Sequence, residues 1–287
     1  MQAQTEWVMH TEYPDLREHE EIAIDLETRD PDLKSIGSGA VVGRGEVVGI
    51  AVAVQNGSWY FPIAHETGPN CNREKTLEWF ADILKSPATK IFHNAMYDVC
   101  WIRNLGLKIN GLMVDTMIAC SLLDENRFSY TLNTLSWHFL NEGKNERALN
   151  EAAKARGLDA KADMWRLPAS EVGAYAEKDA ELTFKLWQHV VKLIVEEDLQ
   201  DIFNLETDLF PCLVDMSIAQ VFQKLKLPYD KTEKTQSPSF TKNFLSNHPH
   251  PTVQMIAQAR KINKVNTTFI DTILKHEHAG RIHAEIN

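Results

Sequence analysis

The sequence predicts a mixed α/β domain, a sheet flanked by helices, followed by a mostly helical segment. Three observations predict it. Up to Ile63 the apolar residues fall in short β-branched runs. From Arg73 to Leu123 strand-length runs alternate with helical periodicity, and from Thr131 onward helical faces dominate.

Residues 21–27 (Glu-Ile-Ala-Ile-Asp-Leu-Glu) are short and alternating and predict a strand. Residues 30–45, rich in Gly, Asp and Pro, predict a loop. Val47 to Val54 is a near-continuous apolar run, as in a buried strand. Asn56-Gly57 predicts a hairpin turn with Ser58 to Ile63 as the return strand. Arg73 to Leu84 carries Leu77, Phe80, Ala81 and Leu84 at helical spacing. Lys90 to His93 predicts a fourth strand, and Tyr97 to Leu105 a helix stopped at Gly106. Leu112 to Asp115 predicts a fifth strand, leading into a helix over Thr116 to Leu123. Thr131 to Phe139 repeats a helical face through Leu132, Leu135 and Phe139. Residues 141–163 are polar and Ala-rich, broken at Gly143 and Gly157, and predict a helix and a mobile connection. Ser170-Glu171 is expected to cap a helix running through Tyr175 and Asp179 to about Val195. A further helix is expected over residues 199–218.

Composition narrows the class. The chain has 287 residues, 44% apolar and 24% charged, enough for one large or two modest globular domains. Four cysteines, Cys71, Cys100, Cys120 and Cys212, form no Cys-x-x-Cys pair, which argues against a zinc site or disulfide framework and for a reducing, cytoplasmic setting. The N-terminus lacks signal-peptide blocks, and no apolar run reaches membrane-span length. The net charge of −10 is uneven. Residues 1–219 hold 20 Lys+Arg against 35 Asp+Glu, whereas residues 220–287 hold 10 against 5. An acidic body with a basic tail suits a metal-using site joined to an arm that binds a phosphate backbone.

Three acidic motifs stand in one order: Asp25-Leu26-Glu27, Asn94-Ala95-Met96-Tyr97-Asp98 and Tyr175-Ala176-Glu177-Lys178-Asp179. Asp25 and Glu27 leave the same face of a predicted strand. Tyr175 and Asp179 share a face of a predicted helix. Asp98 opens a helix just after a strand, where Asn94 can cap the helix or contact a substrate. Singly, each pattern is more often a solvated face, a helix cap or a helix surface pair. Together they describe a dispersed carboxylate cluster. Phosphodiester hydrolysis places negative charge on the attacking and leaving oxygens, and two cations about 3.5–4 Å apart stabilise both. Hard cations take carboxylate oxygens rather than Cys or His.

The motifs resemble those of the DEDD exonuclease superfamily, in its tyrosine-containing branch. Residues 21–219 resemble the proofreading 3′–5′ exonuclease domain of family A DNA polymerases, of bacterial polymerase I and phage type. The stretches that carry the resemblance are Ala23 to Thr28, Val48 to Ala53, Phe92 to Asp98, Val114 to Met117 and Tyr175 to Ala180. The resemblance implies a ribonuclease-H-like, mixed five-stranded sheet flanked by helices over residues 1–200, and a mostly helical, truncated thumb-like segment over 201–287. It implies two divalent cations, Mg²⁺ or Mn²⁺, with Asp25, Glu27, Asp98 and Asp179 as metal residues. Asp98 would act through water, and Tyr175 would orient the attacking water. It also implies that Asn94 and the backbone near Leu26 and Thr28 position the terminal nucleotide. Asp115 reads as a supporting residue, and His93 as a strand residue rather than a general base.

The tail resembles a later part of the same polymerases. Leu227-Pro228, Ser237-Pro238-Ser239 (read as a turn and cap), and Arg260 to Val265 look like the distal thumb. Gly280 to His283 resembles the entry to the palm. His248-Pro249-His250-Pro251 breaks the chain, and Thr252 to His276 is amphipathic. About fifty residues of the family pattern are missing after Ser217-Ile218-Ala219, and the chain stops before any polymerase motif, so polymerase activity is not expected. The expected partners are a single-stranded or frayed DNA 3′ end, duplex DNA through the basic tail, and the remainder of a polymerase. No membrane partner is expected. The rival readings are a ribonuclease-D-like RNA 3′-exonuclease and a non-catalytic DNA-binding or polymerase-assembly fragment.

Overall fold

The computed structural model describes residues 7–31, 33, 38–42, 44–215, 226–231, 238, 239, 241–251, 253, 254, 257, 277, 278, 281 and 282. The chain divides into two compact units, 1–215 and 216–287. The helix Gln200–Asp215 falls within the first of these units.

The first unit is built on five strands: β1 (Glu21–Arg29), β2 (Glu46–Val54), β3 (Gly57–Pro62), β4 (Thr89–Phe92) and β5 (Met113–Asp115). Their order is β3-β2-β1-β4-β5. The first three strands are antiparallel neighbours, while β4 runs parallel to β1 and β5 parallel to β4. Parallel neighbours need crossovers. The helices α2 (Arg73–Lys85) and α3 (Ala95–Asn104) supply them, after a short α1 (Gly39–Val42) within the expected loop. There follow α4 (Thr116–Leu123), α5 (Leu132–Leu140), α6 (Arg147–Ala155), α7 (Ala169–Glu196) and α8 (Gln200–Asp215). The mixed sheet flanked by helices is the predicted architecture.

Alternation along β1 sorts the two faces. Ile22, Ile24 and Leu26 enter a core with Phe80, Val99 and Trp101 of α2 and α3. Ala23 joins Ala51, Ala53 and Tyr60 on the opposite face, against Val172, Ala176 and Ala180 of α7. Small residues on both surfaces let α7 lie close to the sheet. Gly173 receives the Trp7 ring, since a Cβ there would stand 2.2 Å from the indole. Glu177 ties the same helix to its surroundings through one oxygen, which accepts from Trp7 Nε1 at 2.8 Å and Tyr60 N at 3.0 Å and meets His10 Nε2 at 2.6 Å.

Two local expectations are corrected. The hairpin turn is Gln55-Asn56, because Val54 pairs with Gly57. Gly57 serves for space instead: a Cβ there would lie 2.4 Å from the Trp59 ring. Ser170 does not cap α7. The N-cap is Pro168, extended at φ −65° and ψ 144°, and Glu171 pairs with Arg156 at 2.8 Å.

In the second unit, β6 (Asp230–Lys231) pairs with β7 (Pro238–Ser239), and β8 (Glu277–His278) with β9 (Arg281–Ile282). The expected turn and cap at Ser237-Pro238-Ser239 is corrected, since Pro238 and Ser239 are strand residues. The cap belongs to Thr241, whose hydroxyl accepts from Phe244 N at the start of α9 (Lys242–Asn247). That helix ends at His248, where the proline-rich break was expected. Leu245 and Val253 form a small core with Leu227, Tyr229, Phe244 and Ala257. Most of the amphipathic stretch 252–276 lies outside the described residues.

Candidate active site

Asp25 and Glu27 stand on the α7 face of β1, and Asp179 faces them from α7. One carboxylate oxygen from each lies within 4.8 Å of the others. Backbone detail aims them. The β1–β2 register shifts between Glu27 and Thr28, a bulge beside the site. Gly49 stands opposite Glu27, and a Cβ there would lie 1.9 Å from the Tyr60 hydroxyl. That glycine lets Tyr60 fill the floor beside the acids.

Asp98 joins from α3 but holds a different position. Its Oδ1 accepts the Leu26 amide at 2.9 Å, which locks the second motif onto the first. Asp115 in turn fixes the start of α3. Its Oδ1 accepts from Asn94 N at 3.0 Å and Met117 N at 2.8 Å, and its Oδ2 from Ala95 N at 2.8 Å. One carboxylate thus serves the N-termini of two helices, the supporting role expected of it. Asn94 adopts a left-handed φ of 63°, makes no side-chain cap bond and is exposed, free to meet a substrate. The Leu26 side chain is in the core and its N–H is taken by Asp98. The Thr28 hydroxyl bonds the Tyr97 hydroxyl at 2.5 Å.

The electrostatics are those of crowded acids. Burial first, then the charge of Asp179, pushes the Asp25 carboxyl up to about 7, against a downward pull from Lys144. Burial and the charges of Asp25 and Asp179 likewise raise Glu27. Asp98 is raised by burial and Asp25, with the Leu26 amide opposing. Asp179 is raised by burial, opposed by Lys144 and Tyr175. The Tyr175 phenol is also raised, by burial and then by the acids around it, so it keeps its proton. His93 is pushed down to about 4 by burial, and its ring nitrogens face Thr116 Oγ1 at 2.8 Å and Tyr130 O at 2.9 Å. His93 is not the strand residue expected, since β4 ends at Phe92 and His93 lies in the bend that follows.

The donor set fits hard divalent cations. All its atoms are carboxylate oxygens, and Asp179 Oδ1 is buried with no hydrogen-bond partner. Asp25, Glu27 and Asp179 would hold a cation, while Asp98 borders Asp25 and is bound to the backbone.

Sequence reasoning missed Lys144. Its ammonium lies 2.6 Å from Asp179 Oδ2 and 3.2 Å from the Tyr175 hydroxyl. Lys144 sits in a polar stretch without periodicity, and its partners are 31 and 35 residues away, so no local signal marked it.

Comparison with known proteins bears on this site. Residues 9–194 match the model of the 3′–5′ exonuclease family of DNA polymerase A. A DNA-directed DNA polymerase of Pseudomonas phage M6 is 29% identical over 320 positions, covering 93% of this chain and 48% of the relative. More positions are aligned than this chain has residues, so the relative carries insertions against it. DNA polymerase I of Chloroflexus aurantiacus is 25% identical over 180 residues, covering 61% of this chain and 19% of the relative. The chain thus spans less than half the length of either polymerase. Brucella melitensis NrnC with bound Mg²⁺ superposes with a TM-score of 0.52 at 16% identity, over 71% of this chain and 88% of NrnC. A structure described as the apo form of a nuclease gives 0.52 at 18% identity, over 70% of this chain and 86% of that one. Both show the ribonuclease-H-like fold expected of residues 1–200. With more than half its length matched and the motif carboxylates converging, the chain belongs to the 3′–5′ exonuclease domain family of family A DNA polymerases.

Proposed function

We propose that this chain is a metal-dependent 3′–5′ exodeoxyribonuclease, releasing nucleoside 5′-monophosphates from single-stranded or frayed DNA 3′ ends as the proofreading part of a DNA polymerase. The observation that carries the reading is the meeting of Asp25, Glu27 and Asp179 within 4.8 Å, one of their oxygens buried and unpartnered. Two Mg²⁺ or Mn²⁺ ions, when bound, would supply an activated water and charge neutralisation at the scissile phosphate. The chain's own groups do the rest. Asp25, Glu27 and Asp179 would hold the cations, and Asp98, beside Asp25, would contribute through water. Tyr175, kept protonated by its surroundings, donates a hydrogen bond that aims the attacking water. Asn94 offers its exposed amide to the terminal nucleotide. Frayed ends are favoured because unpairing costs less there. The DNA polymerase relatives favour DNA over RNA as substrate. The basic tail would act as a thumb-like arm on duplex phosphates, and the remainder of a polymerase would be its partner.

The test is digestion of 5′-labelled single-stranded DNA and RNA of one sequence, with Mg²⁺ or with chelator, beside Asp25→Ala. Expected is a Mg²⁺-dependent ladder on DNA, shortened from the 3′ end and lost in Asp25→Ala. Equal ladders from wild type and Asp25→Ala would falsify the assigned site, and a preference for RNA would reverse the substrate.

A further inference from the structure

Lys144 reaches the acidic site from the segment between α5 and α6, and four contacts deliver it there. Asn141, left-handed at φ 52°, turns the chain out of α5. Glu142 pairs with Lys178 and, at 3.0 Å, with Lys185, both on α7. Gly143 lies against Trp137, where a Cβ would stand 2.1 Å from the indole nitrogen. The Lys144 amide donates to Asn133 Oδ1 at 2.9 Å. The backbone is therefore pinned up to the lysine itself, and its side chain is only 10% exposed. At its end the ammonium bonds Asp179 and Tyr175 and lies 4.9 Å from the Tyr175 ring centre.

We propose that Lys144 is a positioning residue that serves as the site's resident counter-cation: it holds Asp179 and Tyr175 in place and competes with divalent cations for Asp179. The inference rests on the reading that Asp25, Glu27 and Asp179 bind such cations. A cation and an ammonium are alternative answers to the same crowded negative charge. The flexible four-carbon stem lets the ammonium leave Asp179 while the pinned backbone stays. Pairing with Lys144 spares Asp179 an uncompensated buried charge, which is the costly state. The price is paid in metal affinity.

The experiment measures Mn²⁺ binding to the full chain without nucleic acid, by electron paramagnetic resonance of free Mn²⁺ at mildly alkaline pH. It compares wild type, Lys144→Met, Lys144→Gln, Lys144→Arg and Asp25→Asn. Lys144→Met and Lys144→Gln are expected to bind Mn²⁺ about tenfold more tightly, the scale of removing one nearby charge. Lys144→Arg keeps the charge and is expected to stay near wild type. Thermal unfolding gives a second readout: added Mn²⁺ should raise Tm more in Lys144→Met than in wild type. Equal affinities in wild type, Lys144→Met and Lys144→Gln, with binding lost in Asp25→Asn, would overturn the role of Lys144 and leave the metal site standing. Absence of Mn²⁺ binding in every variant would overturn both. If Lys144→Met does not fold, the comparison rests on Lys144→Gln.

Discussion

Asp115 never touches the acidic cluster, yet its removal should damage both stability and activity. In Asp115→Ala the amides of Asn94, Ala95 and Met117 lose their common acceptor. Loss of the cap on α4 costs about 1 kcal/mol. Asn94 N and Ala95 N are then left short of partners, each at roughly 1–2 kcal/mol. The total is about 3–5 kcal/mol, or about 10 °C in Tm for a unit of this size. Asp115→Asn keeps one acceptor oxygen but turns an NH₂ toward an amide, and should cost about half as much. The functional consequence runs through Asn94. Its left-handed backbone is held by Asp115, and Asp98 follows four residues on. A displacement of Asp98 by about 1 Å should lower kcat roughly a hundredfold. Urea unfolding in chelator measures the first effect, and single-turnover cleavage of labelled DNA the second. A loss below about 1 kcal/mol with unchanged cleavage would refute the account of Asp115 as the anchor of the second motif.

Two further predictions concern the acids and the helix behind them. Asp25 is held up to about 7 in the folded chain, whereas a free aspartate titrates near about 4. Between those values the folded state binds more protons than the unfolded state, so this group's contribution to stability falls as pH rises. In chelator, the Tm of Asp25→Asn should therefore gain on that of wild type from pH about 4 to about 7; a constant difference would contradict the shift. Gly173→Ala places a Cβ against Trp7, whose indole is fixed by Glu177, and should cost about 1–3 kcal/mol. An unchanged Tm would show that Trp7 can yield.

What the sequence revealed and what it hid divide along range of interaction. β1 was legible because alternation along Glu21–Arg29 puts large apolar residues on one face and Ala23, Asp25 and Glu27 on the other. The helical spacing of Tyr175 and Asp179 was legible for the same local reason. The hairpin turn was missed by one residue because Gly57 answers to Trp59 rather than to a positive φ. Asp98 on the Leu26 amide and Lys144 on Asp179 join residues 72 and 35 positions apart, and no local pattern announces such pairs. Asp115 was readable as a supporting acid, but its grip on two helix starts emerges only once β5 lies beside β4.

Glu177 stands two residues from Asp179 and takes Trp7, His10 and Tyr60 on a single oxygen. Trimming the domain to its sheet and helices would therefore not be a neutral excision. A version beginning at β1 would strip two of those three partners from a carboxylate that is 17% exposed. It would also open the slot that Trp7 fills at Gly173. Both losses fall on the helix that carries Tyr175 and Asp179. Anyone transplanting this exonuclease domain would need to carry the arm from Trp7 onward, because Trp7 and His10 strap α7 in place through Glu177 and Gly173.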